Sequence, residues 1–122
     1  MDFKLTVSDS HVKNIEKGYE KAVELMDEVE NYKKLNFFER MFKEKVHVDI
    51  NLEYAEEFLV SSQQQISLIL GNRDVYYLPD NQMDELCNLL DKVMHQRAIL
   101  IGFDDYLERK LDKKSRIKLP KN

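Results

Sequence analysis

Two sets of carboxylates in this chain have the spacing that metal chemistry needs. Glu24 and Asp27, with Glu28 beside them, form one set, and Glu53 and Glu56, with Glu57, form the other. Residues three apart lie on one face of a helix, so two such helices side by side would offer oxygen ligands to Mg²⁺. That would be the arrangement of a helical carboxylate–Mg hydrolase. The pairs are generic, however. With 23 acidic residues in 122, they arise on solvated helix faces without any ligand, and acids early in a helix also suit its dipole.

The remaining chemistry-bearing residues are scattered. His11, His47, His95 and Cys87 are far apart in sequence, and no H-x-x-x-H or C-x-x-C spacing sets two of them on one element. Cys87 shares its spacing with Met83, Leu90 and Met94, which predicts a small buried apolar side chain rather than a nucleophile. There is no G-x-S-x-G, and three glycines cannot build a phosphate-cradling loop. The expectation is a protein that is not an enzyme and has no cofactor and no metal.

Residues 93–111, VMHQRAILIGFDDYLERKL, set an apolar run between His95-Gln96-Arg97 and Asp104-Asp105. His95 and Arg97 could contact a partner or an anion, but they fall between apolar positions 94 and 98 and need converge on nothing. The stretch reads as one long helix, or as two helices kinked at Gly102. His47, on the polar side of an apparent strand, reads the same way, as a surface residue.

Charge is distributed unevenly. Residues 109–122 carry Arg109, Lys110, Lys113, Lys114, Arg116, Lys118 and Lys121 against Asp112 alone. The first 108 residues then hold 12 basic and 22 acidic side chains, a net charge of −10. The basic end could contact phosphates without sequence preference, with Arg109, Lys110, Lys113, Lys114, Arg116 and Lys118 as nucleic-acid-binding candidates. The acidic body opposes this, and no aromatic residue lies within 109–122 to stack on bases. Those cations equally suit the C-terminal dipole of the last helix.

These residues must be positioned by a small number of elements. A chain of 122 residues fits one domain and can bury roughly two-thirds of its unfolded surface. Only 3 glycines and 2 prolines favour long helices over a turn-rich β-sandwich. Phe3, Leu5 and Val7 alternate with polar residues as a short strand, and Ser8-Asp9-Ser10 offers helix caps. Apolar residues at 12, 15, 19, 22, 26 and 29 then predict a helix over 10–33, interrupted only by Gly18 at a cost of about 1 kcal/mol. Asn36-Phe37-Phe38-Glu39 reads as a capping box opening a short aromatic helix over 37–45.

Val46, Val48, Ile50 and Leu52 alternate like a strand. From Leu52 the period lengthens, and positions 52, 55, 59, 62, 66 and 69 predict a helix over 52–70, with Gly71 as its left-handed stop. Asp74–Leu78 is β-prone and is ended by Pro79, and it would pair with 46–50 or with 3–7. Asp80 or Asn81 would cap the last helix, whose apolar positions are 83, 86, 87, 90, 93, 94, 98 and 101. The periodicity ends near residue 114.

The predicted fold is therefore mainly α: a small bundle of three long helices and one short one, with a two- or three-stranded β element. The expected organisation is a single α-rich domain over 1–114 and a flexible basic tail over 115–122. One cysteine, no basic-then-apolar start and no long apolar run predict a soluble cytoplasmic protein without a membrane segment.

Three regular stripes exceed what one small bundle needs, so part of them is expected to form an interface, with a homodimer as one form of it. Phe37, Phe38, Phe42, Tyr76, Tyr77, His95 and Arg97 are the partner-binding candidates, since aromatic residues and Arg are enriched in such surfaces. The function expected is a non-enzymatic protein–protein interaction module, a regulator or inhibitor that occupies a surface of a macromolecule. Its Lys-, Asn- and Ile-rich usage is of the kind seen in small phage or mobile-element proteins. The alternative is a nucleic-acid-associated regulator acting through the basic end.

Overall fold

The computed structural model describes residues 3–36, 38–39 and 47–118, with residues 104–118 described by their backbone alone. In chain order the elements are β1 (Leu5–Thr6), α1 (Asp9–Lys33), α2 (Val48–Gly71), β2 (Tyr76–Tyr77) and α3 (Asp80–Lys118). The fold is a mainly α bundle in which three long helices pack together and two short strands close one end.

Ser8 opens α1 as anticipated: its hydroxyl accepts the His11 N–H at 3.1 Å, satisfying one of the free donors of the first turn. Val12, Ile15, Ala22, Met26 and Val29 are buried, and Tyr19 packs half-buried beside them. On α2 all six positions of the sequence stripe are buried: Leu52, Ala55, Leu59, Ser62, Ile66 and Ile69. The Ser62 hydroxyl donates to the Ile15 carbonyl at 3.3 Å, and Asn51 donates to the Leu25 carbonyl at 3.5 Å, so α1 and α2 run antiparallel.

The strands pair in parallel, Leu5 with Tyr76 and Thr6 with Tyr77, and the Leu5 N–H donates to the Val75 carbonyl at 2.7 Å. Because each strand leads directly into a helix, the parallel pair starts α1 and α3 at the same end. Buried Gln82 ties that end together by donating to the Val7 carbonyl at 2.8 Å. At the opposite end the Lys33 ammonium stands 4.8 Å from the centre of the Phe103 ring.

Several expectations are corrected. Residues 48–50 are helix, not strand: the Asn51 N–H already donates to the His47 carbonyl at 2.9 Å. The alternation from Val46 to Leu52 was too short to separate a strand from an amphipathic first turn, and Ile50 is exposed. The partner of β2 is therefore the 3–7 segment. Gly71 is no left-handed stop. It lies inside α2 without a positive φ, and Asn72 ends the helix, its side-chain amide donating to the Leu68 carbonyl at 2.6 Å.

Neither Asp80 nor Asn81 caps α3. The Pro79 carbonyl takes the first helical bond from Met83 N–H, and Asp80 sits in the first turn, where a carboxylate complements the helix dipole. Of the two readings of 93–111, one uninterrupted helix is the one found, and it continues to Lys118. The short helix predicted over 37–45 falls largely outside the described residues, but its cap is present: Glu39 N–H donates to Asn36 Oδ1 at 2.8 Å.

The largest correction concerns the register of α3. Its buried positions are Gln82, Leu86, Leu89, Val93, Leu100 and Phe103. Four of the positions expected on the stripe, Cys87, Met94, Ala98 and Ile101, are exposed. The apolar band of α3 is wider than the face that α1 and α2 cover, and the centre of burial lies one residue from where the pattern placed it.

Candidate interaction surface

Three exposed side chains on α3 form a row, while Ile99, 40% exposed, stands off it on another face. Cys87, Met94 and Ile101 recur every seven residues, two helical turns, and so stand one above another. Met94 is 52% exposed and Ile101 62% exposed. On one side of this ridge runs the row Met83, Leu90 and Arg97. Met83 and Leu90 are half-buried against the core, and the Arg97 guanidinium donates to the Gln63 side-chain carbonyl, so this row borders α2. On the other side runs Asp84, Asp91 and Ala98, all exposed. The ridge thus has an apolar crest, a seam with α2 on one flank and carboxylates on the other.

Among the described residues, neither of the two cations between residues 80 and 101 forms an ion pair with those carboxylates. Lys92 lies with Glu16 and Glu85 around a shallow hollow of about 180 Å³ facing α1, and Arg97 is turned to Gln63.

A second apolar patch sits at the strand end of the bundle. Phe3, Leu5 and Val75 are exposed there, with Tyr77 56% exposed beside them. It lies beyond the start of α3, whereas the ridge climbs the middle of that helix.

The partner-binding residues expected from sequence do not converge. Tyr77 is at the strand end, while Tyr76 is packed half-buried against the core. His95 is exposed midway along α3, and Arg97 is half-buried at the seam with α2. Phe38, 71% exposed, follows α1 at the far end, and Phe37 and Phe42 lie outside the described residues. The ridge was missed as a unit because the sequence stripe assigned its members to the core. The signal that would have found it is the row Asp84–Asp91, which cannot face inward and so fixes which flank of α3 meets solvent.

The carboxylate sets do not face each other. Glu24 lies 3.7 Å from the Lys21 ammonium, and Glu28 accepts from the Asn51 amide at 2.9 Å. Glu53, Glu56 and Glu57 line a separate open hollow on α2 with Val60. Among the described residues, no group of three or more His, Cys, Asp or Glu is placed to hold a metal ion. His11, His47 and His95 are each exposed and on different elements. The expectation of a buried Cys87 is overturned, since the thiol is exposed beside Leu90 and Met94.

Of the nucleic-acid candidates, Arg109, Lys110, Lys113, Lys114, Arg116 and Lys118 all lie on the α3 backbone past Phe103. Among the described residues, no helix is long and apolar enough to cross a membrane. Comparison with protein-family models, with curated proteins and with solved structures finds no match.

Proposed function

We propose that this chain is a small non-enzymatic interaction module, a regulator or inhibitor that acts by covering a surface of a protein partner. The observation that supports this reading is the exposed apolar row Cys87, Met94 and Ile101 on a helix that is held in the bundle by buried Leu86, Leu89, Val93 and Leu100. Scattered single apolar residues on a surface are ordinary, but a contiguous row on a rigid helix is the form that helix-mediated recognition takes. The net charge of −10 over residues 1–108 would speed encounter with a basic surface, including one that otherwise holds nucleic acid.

The test is a tagged pull-down from nuclease-treated lysate of the source cell or its host, read by mass spectrometry. One protein recovered in near-stoichiometric amount, and lost when Met94→Glu and Ile101→Glu are introduced together, is the expected result. No enriched protein would overturn the reading.

A second reading has its own observation. Helix α3 carries the six basic residues of 109–118 on a continuous backbone past Phe103, an arm that could lie along phosphates. Under that reading, deleting residues 112–122 removes binding to duplex DNA or RNA and flattens its salt dependence. If the deletion leaves nucleic-acid affinity unchanged, the arm is not the contact.

A further inference from the structure

We propose that the α3 ridge is the docking surface for an amphipathic helix of a protein partner whose apolar stripe is edged with lysine or arginine. This rests on the interaction-module reading and names the chemistry of the partner. The shape comes from the crest: Cys87, Met94 and Ile101 at seven-residue spacing, with Leu90 half-buried alongside, match the period of a second helix laid along the first. The sign comes from the flank. Asp84 and Asp91 recur at the same spacing and are exposed, and neither has an ion pair among the described residues. The next positions of that row in the sequence, Asp105 and Asp112, carry the same charge.

Of the two nearby cations, Arg97 is bonded to Gln63, and Lys92, which lines the hollow with Glu16 and Glu85, makes no ion pair with either aspartate among the described residues. An apolar stripe bordered by uncompensated carboxylates complements a helix with an apolar stripe bordered by cations and repels one bordered by acids. A second copy of this chain is the poorer occupant. Antiparallel pairing through the same ridge would set the aspartate row against itself, between chains that each carry a net charge of −4.

The full chain supplies its own reporter, because Cys87 is its one cysteine and sits on the crest. Two synthetic helical peptides with the same leucine stripe serve as probes, one with lysine and one with glutamate at the flanking positions. Their binding is followed by fluorescence anisotropy at about 0.15 M salt, where long-range charge effects are screened. In parallel, the rate of Cys87 alkylation is measured with and without peptide. The lysine-edged peptide is expected to bind at least about tenfold more tightly than the glutamate-edged one. It should slow Cys87 alkylation at saturation, and the double change Asp84→Lys and Asp91→Lys should reverse the preference between peptides.

Equal binding of the two peptides, binding without protection of Cys87, or no reversal in the double variant would each overturn the proposal. So would binding of neither peptide by a chain that sediments as a monomer. A chain that sediments as a dimer with Cys87 already protected would assign the ridge to a second copy and overturn the cationic-helix occupant, while leaving an interaction surface in place. A pull-down that enriches no protein would fail the interaction-module reading itself, whereas a partner whose capture ignores Met94→Glu and Ile101→Glu would leave that reading in place and overturn the ridge, so the two failures are distinguishable.

Discussion

Gln82 and Val7, 75 residues apart in sequence, are joined by a 2.8 Å hydrogen bond from the Gln82 side-chain amide to the Val7 backbone carbonyl, and both residues are buried. The bond fastens the segment between β1 and α1 to the first turn of α3, and so holds the two parallel helices in register at the strand end. Gln82→Met keeps the volume and removes the donor, leaving a buried carbonyl without that partner. The expected cost is about 1–3 kcal/mol. At this chain length it lowers Tm by about 4 °C per kcal/mol, measurable by thermal unfolding. Asn81→Ala is the control. Asn81 is exposed and does not cap the helix, so its replacement should stay within about 0.5 kcal/mol.

Where α1 and α2 cross, the pair in contact is Gly18 and Ser62. A Cβ placed on Gly18 would meet Ser62 Oγ at 3.1 Å, and that oxygen is held by its bond to the Ile15 carbonyl. Gly18→Ala therefore sets two effects against each other. Alanine favours the helix by about 1 kcal/mol over glycine, and crowding against a fixed buried hydroxyl removes that gain. Removing the hydroxyl should release it. Gly18→Ala is expected to be more favourable in a Ser62→Ala background than in the parent by about 1 kcal/mol, a coupling that a double-mutant cycle reads directly. Additivity of the two changes would show that the hydroxyl does not limit the approach of the helices.

Much of the bundle was legible because two of its three long helices obey a single narrow stripe. On α2 every stripe position is buried, and on α1 only Tyr19 is less than fully so. The rest was hidden for local reasons. At Val48–Leu52 an alternation over a few residues fits a strand and a helix start equally well, and the backbone bond from Asn51 to His47 decides for helix. At Asn72 a side-chain amide does the work that a left-handed glycine would have done. On α3 two apolar rows run side by side, and hydropathy alone cannot say which one the other helices cover. The buried glutamine among Leu86, Leu89 and Val93 weakened the correct row further. The candidate ridge was illegible for the same reason, being the complement of a core face that was misplaced by one residue.

The glycines of α2 and α3 give the first check on that corrected backbone. Gly71 and Gly102 both lie in helix with negative φ, and nothing stands within 4 Å of a Cβ added at either. A stop at Gly71 or a kink at Gly102 would make alanine unfavourable there. In the continuous helices found, Gly71→Ala and Gly102→Ala should each stabilise, by about 0.5–1 kcal/mol, through reduced freedom of the unfolded chain and better helix propensity. Chemical denaturation read by circular dichroism gives the sign. A loss of stability at Gly102 would mean that α3 does bend there.

Adjacent residues on α3 test the register itself. Val93 and Leu100 are buried, while their neighbours Met94 and Ile101 are more than half exposed. Leu100→Ala removes apolar contacts from the core and leaves a cavity, at an expected cost of about 2–5 kcal/mol. Ile101→Ala removes a side chain that stands mostly in water and replaces it with a better helix former, so stability should hold within about 0.5 kcal/mol. Val93→Ala and Met94→Ala should divide the same way, with the larger loss at 93. Denaturant midpoints for the four variants settle the matter. A pattern reversed within both pairs would return the ridge to the core and withdraw the proposed docking surface.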